Sequence, residues 1–99
     1  QLRGAGVGMQ DKLLLEVKLP ATGAWYEFRV PLDLTVEQSA RLVSQIVARC
    51  EPARYEASDD VDLMYCDAPY AGQQLNPNEL VRVLVGKGAL VDGSHVALV

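Results

Sequence analysis

The chain has a single histidine, His95, in 99 residues. That leaves no material for a multi-histidine metal site, and one histidine expected on an exposed strand supplies no catalytic triad. Cysteine is scarce too. Cys50 and Cys66 allow one disulfide, but they lack the C-x-x-C spacing and have no histidine close by, so they read as two reduced thiols packed as small hydrophobes. Basic charge is in deficit: 9 Lys and Arg stand against 13 Asp and Glu, for a net charge of −4. Neutralising phosphates takes a basic stripe, and none is present, so nucleic acid is not an expected partner. No apolar run approaches the ~20 residues of a membrane-spanning helix. Nor does a basic N-terminal region lead into an apolar block of ~7 to 15 residues, as a cleaved export signal would. The expectation is a cytoplasmic chain with no direct membrane insertion. With 49% apolar and 22% charged residues, it is neither disordered nor collagen-like. There is length for one core.

What is present is periodic. Residues 1–11 are Gly-rich without an apolar period and read as a flexible leader or an arm left by cloning, with residues 12–99 as the folded domain. From Lys12, Leu13, Leu15, Val17 and Leu19 alternate with Glu16 and Lys18, the period of a half-buried strand. Tyr26, Phe28 and Val30 alternate with Trp25, Glu27 and Arg29 in a second run ended by Pro31. Thr35 then offers a hydroxyl cap, and Gln38 completes a T-x-x-Q capping box. Val36, Ala40, Val43, Val47 and Cys50 form an apolar stripe, widened by Leu42 and Ile46, with Glu37, Arg41, Ser44, Gln45 and Ala48 opposite. Pro52 ends this helix at Cys50 or Glu51. Native-state labelling of Cys50 is therefore expected to be slow.

Val61, Leu63 and Tyr65 alternate with Asp62, Met64 and Cys66 as a third strand, and Leu75 closes a short fourth. Asn76-Pro77-Asn78-Glu79 reads as the start of a short second helix running to Val85. A strand is the rival there, because Val81, Val83 and Val85 also alternate. Asp92-Gly93 makes a tight turn into a last strand with Val96 and Leu98 on one face and His95, Ala97 and Val99 on the other. The order is β-β-α-β-β-α-β, an α+β domain with a mixed sheet of four to five strands, one main helix and one short one.

Several strings resemble chemical motifs and lack their context. Leu19-Pro20-Ala21-Thr22-Gly23 matches a sortase signal but is not followed by an apolar span and basic residues, so a hairpin turn is expected. Asp59, Asp60 and Asp62 lack the Gly and the bidentate Glu of a calcium loop. Gly86-Lys87-Gly88 lacks the rest of a phosphate loop and reads as helix-end punctuation. The acidic run of Glu51, Glu56, Asp59, Asp60, Asp62 and Asp67 is a solvated loop and strand edge, with a docking surface or cation site as the other reading. No cofactor, metal or catalytic residue is expected.

The element order is that of the β-grasp fold, and the chain resembles ubiquitin. The residues that carry this are F-R-V-P-L-D-L-T-V (Phe28 to Val36), A-G-Q-Q-L (Ala71 to Leu75) and D-G-S-H-V-A-L-V (Asp92 to Val99). Within that superfamily, L-P-A-T-G-A-W-Y-E-F-R-V-P with the later L-N-P and D-G-S is similar to the YukD/EsaB group, which accompanies type VII secretion systems in Gram-positive bacteria. The resemblance implies a non-enzymatic, cytosolic accessory or regulator whose partner is a component of the secretion apparatus. Conjugation and sulfur transfer need a C-terminal Gly-Gly, and the sequence shows Ala97-Leu98-Val99 instead, so a modifier or sulfur-carrier role is not expected. The remaining alternative is the cytosolic ubiquitin-like domain of a larger membrane component of that system. The period-two pattern turns Met64, Ala97 and Val99 away from the helix, with Leu14 nearby on the first strand. By resemblance this is the face that binds a protein partner, and the four residues are the candidate site.

Overall fold

A computed structural model of the chain describes residues 11–99. The expected leader lies outside the described residues except for Asp11, whose carbonyl accepts from the Leu32 N–H. Strand β1 (Lys12–Leu19) pairs antiparallel with β2 (Ala24–Pro31), Leu15 opposite Phe28 and Val17 opposite Tyr26. The sortase-like string is the turn between them. The amides of Thr22 and Gly23 both donate to the Leu19 carbonyl, and Gly23 takes a φ of 73°, where a side chain would strain the backbone.

Helix α1 (Val36–Cys50) begins at the capping box read from the sequence, with the Gln38 N–H donating to Thr35 Oγ1 and the Thr35 N–H to Gln38 Oε1. Its first two amides have carbonyl partners from far along the chain: Val36 donates to Glu79 and Glu37 to Pro77. Val36, Ala40, Val43 and Val47 are buried against Leu13, Leu15, Val17 and Leu63 in one core. Each of these Val and Leu side chains contributes about 1.5 to 3 kcal/mol through removal from water.

Two assignments on this helix are corrected. Cys50 has the right angle for the stripe but is exposed, because the last turn runs past the apolar layer; Arg49 beside it is exposed as well. Ser44, expected on the wet face, is fully buried. Its hydroxyl lies 2.7 Å from Tyr55 Oη and accepts from the Ser58 N–H at 3.1 Å. The loop after the helix folds back over this flank, and a small hydroxyl suits the space. Ser44→Ala should cost about 1 to 3 kcal/mol by leaving both partners unmatched, read as a lowered melting temperature. An unchanged melt would mean that water replaces both bonds.

Strand β3 is shorter than expected, only Leu63–Tyr65, although Val61, Leu63 and Tyr65 are buried as the alternation required. The fourth short strand is reduced to an isolated bridge between Met64 and Gln74, followed by Leu75, whose amide donates to the Leu63 carbonyl. Helix α2 (Val81–Gly86) starts four residues later than a cap at Asn76 would place it, with Leu80 at the cap position. Asn76 Oδ1 instead accepts from the Asn78 N–H in a local turn, and Thr35 bridges to Leu80. Residues 77–79 stay in a turn, and the carbonyls of Pro77 and Glu79 serve the open amides of α1. The strand alternative fails as well: Val81 and Leu84 are buried while Val83 is exposed, which is helical spacing.

The last strand, β4 (Ser94–Leu98), enters through Gly93 at φ 90°. It runs parallel to β1, with Val17 opposite Val96, and antiparallel to β3, with Met64 opposite Ala97. The sheet order is β2-β1-β4-β3. One mixed four-stranded sheet thus has α1 over one face and leaves the other face to solvent.

Candidate functional site

The uncovered face is organised by register. Lys18 stands opposite both Trp25 on β2 and Ala97 on β4, and Ala97 stands opposite Met64 on β3. Trp25, Lys18, Ala97 and Met64 therefore form one row across all four strands. Trp25 is 46% exposed, with the Lys18 ammonium 5.9 Å from its ring centroid and the His95 ring edge-on at 5.3 Å. An aromatic held by a cation and a second ring is partly immobilised before any partner arrives, which lowers the entropy cost of binding.

His95 is itself fixed. Its backbone N–H donates to Asp67 Oδ2 at 2.9 Å, and its Nδ1 lies 3.1 Å from Oδ1. A carboxylate only accepts, so Nδ1 carries the proton in this bond. The backbone hydrogen bond, aided by the ring, holds the Asp67 carboxyl below the ordinary carboxylate range against the opposing effect of burial. A carboxylate with a lowered folded pKa contributes its full stabilisation above the unfolded value and loses it as pH falls through the folded one. The melting-temperature gap between wild type and Asp67→Asn should therefore be present at neutral pH and shrink below about pH 4. A gap that does not vary with pH would deny the carboxylate this role.

Met64 and Ala97 are adjacent as the alternation required, and Val99 joins them, its amide and carbonyl both bonded to Asp62. Ala97, at 3% exposure, is more covered than a contact residue should be, because Lys18 and Met64 flank it; it serves as the floor of the row. Leu14 does not join this group. It faces the same side, but its carbonyl accepts from Gly93, four positions along β4 from Ala97 and so about 13 Å away. Trp25 and Lys18 are absent from the set read off the sequence. Alternation already placed them on the wet face, but only the parallel β1–β4 register brings them beside Met64.

Cys66, adjacent in sequence to Asp67, is half-buried, and its thiol is pushed up by burial and then by the Asp67 charge. Exposed Cys50 should therefore react first with a maleimide in the native state, contrary to the slow labelling expected of it from the sequence, as peptide mapping of partly labelled protein would show. Faster labelling of Cys66 would contradict the placement of both thiols.

Among the described residues, no group of three or more His, Cys, Asp or Glu is placed to hold a metal. An open cleft of about 360 Å³ lies at the far end of the sheet, between Leu13, Leu32, Val85, Leu90 and Val91, with Lys12 and Asp92 at its rim. Its walls are largely apolar, and it has no nucleophile beside a base.

No protein-family model matches the sequence, and no curated protein matches it. Solved structures do match. The N-terminal ubiquitin-like domain of the 4931431F19Rik protein superposes with a TM-score of 0.61 at 19% identity, over 90% of this chain and 74% of that one. The fold is ubiquitin-like. The ubiquitin-like domain of the type VII secretion protein ECCD1 of Mycobacterium tuberculosis gives 0.60 at 10% identity, over 89% of this chain and 97% of that one. A chain of the ESX-5 inner membrane complex gives 0.69 at 14% identity, over 90% of this chain and 21% of the other. The ubiquitin-like architecture explains why the hairpin, α1 and a parallel last strand occur together. The main-helix and short-helix arrangement expected from the sequence is the one observed. No helix among the described residues is long and apolar enough to cross a membrane.

Proposed function

We propose that the chain is a non-enzymatic, cytosolic protein-interaction module of a type VII secretion system, an accessory or regulator of the YukD/EsaB kind. The observation that carries this is the row Trp25, Lys18, Ala97 and Met64 on the open face of a ubiquitin-like sheet. An exposed aromatic and a methionine rimmed by Asp62 and Asp67 have the make-up of a protein-binding centre with a polar rim. The partner is a protein of the secretion apparatus, bound without cofactor and without nucleic acid. Likeness to the two secretion-system domains supports the setting.

The same likeness favours a second reading, that the chain is the ubiquitin-like domain of a larger membrane component, since it spans only 21% of the matching ESX-5 chain. Deletion in the native host distinguishes these readings. Loss of secretion with the membrane complex still assembled supports an accessory. Loss of the complex itself supports the domain reading. Unimpaired secretion and expression of substrates would reject both.

A further inference from the structure

Strand β2 is an edge of the sheet, and its backbone pattern determines which groups it offers. Leu14 directs its N–H to Asp92 and its carbonyl to Gly93, so its polar backbone groups face β4. Successive residues of a strand turn these groups to opposite sides, so those of Leu13, Leu15, Val17 and Leu19 face β2. Their register partners on β2 include Tyr26, Phe28 and Val30. That leaves the N–H and carbonyl of Trp25, Glu27 and Arg29 along the outer edge, with no bond among the described residues to satisfy them; the Pro31 carbonyl beside them takes the Leu34 N–H at 3.3 Å and keeps a second lone pair.

We propose that β2 pairs with β2 of a second copy of this chain, antiparallel about a two-fold axis at Phe28, to give one eight-stranded sheet. The register follows from charge. With the axis at Phe28, Glu27 stands opposite the partner's Arg29 and Arg29 opposite the partner's Glu27, and each pair exchanges two backbone hydrogen bonds. Trp25 then faces the partner's Pro31, whose carbonyl takes the Trp25 N–H. Moving the axis to either neighbouring register with the same hydrogen-bond pattern sets Glu27 against Glu27 or Arg29 against Arg29, which opposes pairing. Charged residues on an edge normally repel a second strand; here they oppose both neighbouring registers and favour the one centred on Phe28.

The isolated chain also has the matching need. Glu27 lies directly opposite Glu16 on β1, and no ion pair among the described residues includes Glu16, Glu27 or Arg29. The partner's Arg29 would relieve that like-charge contact. The contact is isologous, so it closes at two copies and does not propagate.

Sedimentation of the full chain over a concentration series tests this, with fluorescence of Trp25, the single tryptophan, as a second readout. Wild type should dimerise, with a fluorescence shift that follows the dimer fraction. Glu27→Arg and Arg29→Glu should each weaken association at least about tenfold, and the double variant Glu27→Arg/Arg29→Glu should regain it, because the pairs are re-formed with their signs exchanged. Circular dichroism should show all three variants folded. Wild type that stays monomeric to about 1 mM, a dimer indifferent to the single reversals, or a double variant that stays weak would each overturn the proposal.

Discussion

Replacing Val43 by aspartate is expected to unfold the domain. Val43 has no exposed surface and sits mid-way along α1, in the core with Leu15 and Leu63 and with Phe28 at its margin. No basic side chain belongs to that buried cluster. A carboxylate there either stays charged without a partner or takes up a proton, and both routes cost several kcal/mol. A domain of this size has about 5 to 15 kcal/mol in total. Loss of the cooperative thermal transition in circular dichroism is the expected reading. A melt within a few degrees of wild type would mean that the helix turns a different face to the sheet.

Met64→Arg is expected to do the opposite, leaving the fold intact and removing the partner. Met64 is half-buried on the side away from α1, so a long cationic chain can lift its charge into water while its stem covers Ala97. The binding centre, however, acquires a charge that a partner would have to desolvate. Loss of a central apolar contact typically costs about 2 kcal/mol or more, roughly thirty-fold in affinity. Co-purification with the secretion apparatus should fall accordingly while the melt stays near wild type, and Trp25→Ala should give the same phenotype from the other end of the row. A folded Met64→Arg protein with full secretion activity would remove the open face from consideration and turn attention to the loop around Asp59 and Asp60.

Local pattern and tertiary context divide cleanly in this chain. The alternation in β1 and the capping box of α1 are written in neighbouring residues, and both appear as read. Asn76-Pro77 is as good a helix start as Thr35-Val36 by local criteria, yet it loses, because the amides of Val36 and Glu37 take its carbonyls before a helix can use them. Cys50 departs from its expected burial because a stripe records angle and not how far the sheet extends. The open face was legible in part: Met64 and Ala97 follow from period two, but Trp25 joins them only through a parallel register between β1 and β4. Nothing in either strand's own residues encodes that pairing, which also sets Leu14 level with Gly93 and away from Met64.

That pairing also sets an order of events during synthesis. Leu14 and Asp92 are 78 positions apart and meet at the centre of the sheet, where β4 lies between β1 and β3. The ribosome delivers the hairpin and α1 early, but the place between β1 and β3 stays vacant until residues 94–98 have emerged. Until then β1 carries an unpaired inner edge, and β3 has no strand to join. Contacts this distant along the chain slow folding and prolong exposure of such edges to other nascent chains. Proteolysis of stalled chains of increasing length should accordingly show protection of β1 arriving in one step, when β4 clears the exit tunnel. The centre of the sheet is thus the last part of the sheet to form.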